Sequence, residues 1–278
     1  MSPLIAIVAY DGVIGDECEA FRSVLGLVTD ARVITIGARH GTYAGPGGVQ
    51  TVDDTFAGID RVDALVVPGG IGCERAANDP ALRAFLHRME RSTRYIAASS
   101  SGTVLLASAG VLHGESAATH WLAGGILRRY GSERDARQLV VTDRLITCTG
   151  NITAVAAAFE LAERLEGPGA VARIKALLLE RGQAHIDAAR RRRAWGRWRL
   201  RRPGVAPAQV PSPATPDAAA DGGWRRSRVE PGDRRPPVTP VSVLVELVDD
   251  EDLARRLRRT RPRRRAWRAA TRQDRQTD

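Results

Sequence analysis

Three consecutive serines, Ser99, Ser100 and Ser101, close an apolar run and open a helical one in "YIAASSSGTVLLASAG", residues 95–110. A strand that turns sharply into a helix is where α/β enzymes of the hydrolase type hold a nucleophile. A side chain on that turn sees the positive end of the helix, which favours a developing negative charge. A serine placed there needs a general base to take its proton. Two other strand ends bring further candidates. "YDGVIGDECEAF" places Asp16 and Glu17 at the opening of a helix, and "VVPGGIG" carries the Gly69–Gly70 pair. Backbone N–H groups of a Gly-Gly turn can approach an elbow residue because glycine has no Cβ, and such donors make an oxyanion hole.

Those residues need a frame. Apolar and β-branched runs predict strands at Leu4–Tyr10, Arg32–Ile36, Val49–Val52, Ala64–Val67, Tyr95–Ala98, Leu139–Thr142 and Leu145–Thr149. "ALVV" and "YIAA" are apolar throughout, which suits parallel strands buried on both faces. Helical patterns cover Asp16–Leu25, Pro80–Ser92, Gly102–Ala109, His120–Tyr130, Ile152–Leu165 and Gly169–Glu180. Asp79 ahead of Pro80 is a capping residue followed by a first-turn proline. The alternation predicts an α/β domain with a mostly parallel sheet over residues 1–185. Ligands of such domains bind outside the carboxyl ends of the strands, where the three loops above converge.

Charge divides the chain. From Arg190 onward there are 24 basic and 11 acidic residues, against 18 and 21 before it, within a total formal charge of +10. The first part is near neutral, and the basicity belongs to residues 186–278. That segment is rich in Arg, Pro and Ala, as in "VAPAQVPSPATPDAAADGG", and its composition predicts a largely disordered tail. Arg and Trp together suit weak, nonspecific contact with a polyanion such as nucleic acid. A weakly selected tail is the competing reading, and no DNA-binding signature is legible there. Three cysteines, Cys18, Cys73 and Cys148, are too few and too scattered for a disulfide framework. No window approaches the ~20 apolar residues of a membrane span. A cytoplasmic protein without membrane association is the expectation.

The pieces "YDGVIGDE", "DALVVPGG", "ASSSGTVLLASAGVLHGESAATHW" and "DRLITCTGNITAVAAAFELAERL" together resemble the ThiJ/PfpI family of the class I glutamine-amidotransferase-like superfamily. They are most similar to the isonitrile hydratase branch and to the sensor domains of AraC-type regulators. The resemblance implies a flavodoxin-like three-layer sandwich, a homodimer, and a small-molecule substrate or ligand, with no metal or organic cofactor. It places the family's nucleophilic cysteine at Ser100 and the hydroxyl residue that often follows it at Ser101. The family acid falls on Glu17, with Asp16 as a neighbour in the pocket. Gly69 and Gly70 fall on the substrate-binding turn, with the N–H groups of Gly70 and Ser101 as the oxyanion donors. His120 falls where some members hold a histidine beside the nucleophile, and its ordinary pKa of about 6.5 suits a base.

Each residue also has a plainer reading. Ser100 competes between nucleophile, ligand contact and helix cap at an inactive elbow. His120 is a base or a structural histidine beside Trp121, and Glu17 is a pocket acid or a first-turn acid favoured by the helix dipole. Gly69 and Gly70 serve the turn whether or not the site is active. Cys18, Cys73 and Cys148 follow strand ends, so one of them could replace the missing thiol, or all are small apolar residues near a pocket. Two functions follow: a hydratase- or hydrolase-like enzyme acting on a small carbon–nitrogen or carbonyl electrophile, or a non-catalytic ligand sensor allied to transcriptional regulation.

Overall fold

A computed structural model describes residues 2–182. The predicted basic tail, residues 186–278, lies outside the described residues. The runs predicted as buried strands form one sheet. Its members are β1 (Leu4–Val8), β2 (Arg32–Gly37), β5 (Asp54–Thr55), β6 (Ala64–Val67), β7 (Tyr95–Ser99), β8 (Leu139–Val141) and β9 (Leu145–Cys148). Their order is β5-β2-β1-β6-β7-β9-β8. Every neighbouring pair is parallel except β8 with β9. All four residues of β6 are fully buried, as a strand covered on both faces requires.

Helices cover the sheet in two groups. The helices α1 (Gly15–Leu25) and α6 (Ile152–Glu166) pack on each other, and α6 lies on β7 and β9. The second group gathers round α4 (Gly102–Ser108), which touches α2 (Cys73–Ala77), α3 (Pro80–Ser92) and α5 (Gly124–Arg129), and β6 and β7. The arrangement is a mostly parallel sheet flanked by helices, the flavodoxin-like sandwich. The α3 start is built as its sequence predicts: Asp79 accepts a hydrogen bond from the Ala81 N–H at 2.9 Å, and Pro80 needs no donor in the first turn. Residues 170–182 form a further helix.

Three local readings differ. The predicted helix His120–Tyr130 is a 3₁₀ turn, Trp121–Ala123, followed by α5. Gly124 and Gly125 weaken a continuous helix there. Val49–Val52 proves to be half of a hairpin, β3 (Gly41–Gly45) with β4 (Gly48–Val52). Its turn uses positive φ at Gly47 and Gly48, 81° and 128°, conformations that glycine adopts without penalty. The short elements β5 and α2 carry too few residues to show a period.

The core runs beneath the sheet's carboxyl edge. Phe21 of α1 and Leu105 and Leu106 of α4 are fully buried, so both flanking helices are fixed against the strands whose ends carry the candidate site. That edge gathers the loops after β1, β6, β7 and β9.

Candidate active site

Ser100 follows the last residue of β7 and adopts φ +51°, in the left-handed region. A non-glycine residue there costs about 1–3 kcal/mol and persists only where its surroundings hold it. Three hydrogen bonds do so. The Ser100 N–H donates to the Cys148 carbonyl at 2.8 Å, extending the β7–β9 ladder by one step. Thr119 Oγ1 and Thr103 Oγ1 both donate to the Ser100 carbonyl, at 2.7 and 3.0 Å. The reversal lets α4 begin at once, and Gly102 makes the packing possible: a Cβ there would stand 2.1 Å from the Val67 carbonyl oxygen.

Glycines crowd the elbow side chain. A Cβ on Gly69 would lie 2.5 Å from Ser100 Cβ and 2.9 Å from its Oγ. A Cβ on Gly150, at φ +98°, would lie 2.9 Å from Ser100 Cβ and 2.6 Å from Glu17 Oε1. Ser100, Glu17 and the Gly69–Gly70 turn are therefore brought together, as the spacing of their loops predicts.

The three serines have three different fates. Ser99 is fully buried, and its hydroxyl donates to Glu17 Oε2 at 2.5 Å. The Gly69 N–H donates to the same oxygen at 2.9 Å. Ser101 Oγ accepts from the Gly70 N–H at 2.9 Å and donates to the Gly70 carbonyl at 3.0 Å. Ser100 is 5 % exposed, and its hydroxyl has no hydrogen-bond partner among the described residues.

Burial pushes the Glu17 carboxyl above its ordinary range. The hydrogen bonds from Ser99, Gly69 and the Asn151 backbone, and the nearby His120, pull partly the other way. Glu17 is 3 % exposed, on the buried face of α1, whereas Asp16 is exposed and faces the β3–β4 turn, where a Cβ on Gly47 would meet its side chain at 2.8 Å. His120 caps the 3₁₀ turn, with its Nδ1 accepting from the Leu122 N–H at 3.4 Å. Its ring lies 5.7 Å from that of Trp121. No hydrogen bond joins His120 to Ser100.

The cysteines are all buried and free. Burial pushes the Cys18 and Cys148 thiols up to about 12, so neither offers a thiolate near neutral pH. Cys73 opens α2 and is 6 % exposed. A cleft of about 720 Å³ lies beside the elbow loops, between Asp11–Gly12, Ala44–Pro46 and the side chains of Ile71, Glu74 and Arg75; Ser100, Glu17 and His120 do not line it. Among the described residues no group of three His, Cys, Asp or Glu side chains is placed to hold a metal ion. No described helix is long and apolar enough to cross a membrane.

The sequence assigns no role in the site to Ser99, Gly150 or Asn151. The available signal was position: Gly150 and Asn151 follow β9 as Gly69 follows β6, at the same edge of the sheet. Asn151 adopts φ +52°, a second strained residue pressed against the same carboxylate.

Residues 5–164 match the DJ-1/PfpI family. The chain belongs to the DJ-1/PfpI family. Among curated members it is 32 % identical to the isonitrile hydratase of Pseudomonas putida over 41 % of this chain and 50 % of that protein. It is 30 % identical to the glutathione-independent glyoxalase DJR-1.2 of Caenorhabditis elegans over 38 % of this chain and 56 % of that one. The matches thus span about half the length of each curated relative. Solved DJ-1/PfpI structures share the fold. A ThiJ/PfpI protein from Pseudomonas syringae superposes with a TM-score of 0.59 at 22 % identity, covering 62 % of this chain and 73 % of that one. DJ-1β of Drosophila melanogaster gives 0.58 at 24 %, covering 64 % and 98 %.

Proposed function

We propose that this DJ-1/PfpI domain binds a small metabolite at the Ser100 elbow and does not turn it over by serine attack. The observation that carries this reading is the unpartnered Ser100 hydroxyl. A serine becomes a nucleophile only when a base takes its proton. The residue at the family's cysteine position is here a hydroxyl with no base hydrogen-bonded to it: His120 Nδ1 faces the Leu122 N–H, and the side-chain hydrogen bonds of Glu17 go to Ser99 and Gly69. The Gly70 N–H, wanted for an oxyanion, is held by Ser101. In this reading the Ser100 hydroxyl, still 5 % exposed at the elbow, is the free donor and acceptor that a ligand meets.

The enzymatic reading keeps one specific support, the likeness to an isonitrile hydratase. It requires Ser100 as nucleophile, His120 as base, Glu17 as acid, and the N–H groups of Gly70 and Ser101 as oxyanion donors. His120 must then leave its capping position, and the Ser101 hydroxyl must leave Gly70.

Incubating the full chain with an alkyl isonitrile, a small ester and glyoxal separates the two. Thermal stabilisation by at least one of these compounds, without turnover, is expected. Turnover that disappears in Ser100→Ala overturns the binding-only reading.

We further propose that the domain acts as a homodimer through the rim of this site. Ile71, Trp121, Leu122 and Ile152 are 81, 69, 63 and 47 % exposed. Each lies within three residues of a group that touches Ser100 or Glu17. Exposed apolar side chains on the loops around such a site mark an interaction surface. Light scattering should give twice the chain mass, and Trp121→Asp should shift it toward the monomer.

A further inference from the structure

The acid and the elbow hydroxyl sit side by side, yet the acid's hydrogen bond goes elsewhere. Ser99 Oγ and the Gly69 N–H both donate to one oxygen of Glu17, Oε2. The other oxygen, Oε1, is the one that a Cβ on Gly150 would meet, on the Ser100 side. Ser99 is the last residue of β7, paired with Cys148, and is 0 % exposed. Among the described residues Glu17 is the one partner its hydroxyl has.

We propose that Ser99 is a positioning residue of this site: its hydroxyl ties Glu17 to the Gly69 turn, favours the carboxylate form, and so withholds a proton donor from residue 100. A donor to a carboxylate stabilises the charged form, and a charged Glu17 opposes negative charge on its neighbour. Without Ser99, Glu17 holds its proton to higher pH and can turn it toward residue 100. The other titratable groups around Glu17 are Tyr10 after β1, Cys18 on α1, Cys148 on β9 and His120 ahead of the 3₁₀ turn. Tyr10 spends its hydroxyl on the Pro68 carbonyl at 3.0 Å, and the two thiols stay protonated, so none of these three competes with Ser99 for the carboxylate. His120 stabilises the same charged form from a distance. The inference rests on the placement of Ser99, Glu17 and residue 100, and holds whether the site binds or turns over its ligand.

A thiol at position 100 reports the local charge. Full-length Ser100→Cys, Ser99→Ala/Ser100→Cys and Ser99→Thr/Ser100→Cys are alkylated with iodoacetamide from pH 5 to 9, and modification of the peptide bearing residue 100 is followed by mass spectrometry. At pH 6 the Ser99→Ala pair should react about tenfold faster than Ser100→Cys alone, which corresponds to a thiol pKa lower by about one unit. The Ser99→Thr pair, which keeps the hydroxyl, should match the single variant. Equal or slower alkylation in the Ser99→Ala pair overturns the proposal. Should that pair fail to fold, a carbon-13 titration of Glu17 in Ser99→Ala alone decides it. A midpoint above that of the wild type supports the role, and an unchanged or lower midpoint overturns it. Neither readout depends on the isonitrile, ester or glyoxal assays, so the two readings fail separately.

Discussion

The Ser101 hydroxyl bridges both backbone groups of Gly70, accepting from its N–H at 2.9 Å and donating to its carbonyl at 3.0 Å. One side chain thereby locks the β6 turn to the start of α4. The same contact occupies the Gly70 N–H, the donor that the enzymatic proposal needs free.

Ser101 and Ser100 should therefore respond differently to truncation. Ser101→Ala leaves the buried Gly70 N–H without its partner, while the Gly70 carbonyl keeps the Cys73 N–H at 3.2 Å, at a cost of about 1–3 kcal/mol. Ser100→Ala removes a hydroxyl without a hydrogen-bond partner among the described residues and should stay within about 0.5 kcal/mol of wild type. Calorimetry should show Tm lower by several degrees in the first variant and nearly unchanged in the second.

Close packing at the elbow makes a second contrast. In Gly69→Ala the new Cβ meets Ser100 Cβ at 2.5 Å and the Ser101 nitrogen at 2.9 Å. Overpacking of this kind costs about 1–3 kcal/mol. In Gly125→Ala, on α5, the new Cβ meets no side chain closer than an Arg128 nitrogen at 4.0 Å. The better helix former should leave stability equal or higher there. Chemical denaturation of both variants checks the difference.

Glu17 sets a pH dependence with a definite sign. Its folded pKa is raised above the ordinary 4.5, so the folded state holds the proton more tightly than the unfolded chain. Its contribution to stability is then greatest below that value and declines as pH rises from 4.5 through the folded pKa. Glu17→Gln removes the charge and should flatten this decline. Tm measured from pH 4 to 9 should fall less steeply in the variant than in the wild type.

The buried thiols should be inert. With Cys18 and Cys148 pushed up to about 12, only on the order of one molecule in ten thousand carries the thiolate at pH 8. Iodoacetamide at that pH should leave both unmodified in the folded protein and label both after denaturation.

Much of this frame is legible in the sequence because strong local signals agree with the tertiary fold. "ALVV" and "YIAA" are too apolar and too short for anything but covered strands, and Asp79–Pro80 announces α3. The convergence of Glu17, Gly69–Gly70 and Ser100 follows from parallel strands ending at one edge. The partners of the three serines do not follow. Residue 100 reverses at positive φ and breaks the side-to-side alternation of β7, so the direction of each hydroxyl depends on a conformation that serine seldom adopts. The helix read over His120–Tyr130 starts as a 3₁₀ turn at Trp121–Ala123, capped by His120, and becomes α-helical only from Gly124. The sequence assigns Ser99 no partner because it falls just past the predicted strand Tyr95–Ala98, and the acid it bonds lies 82 positions away.

The proposed binding-only role of Ser100 requires that no base activate its hydroxyl. A fluorophosphonate probe tests this most directly, because it forms a covalent adduct only with an activated serine. After incubation of the full chain at neutral pH, peptide mass spectrometry should find residue 100 unmodified, as in a Ser100→Ala control. An adduct on Ser100 that forms in the folded protein and disappears on denaturation contradicts the account.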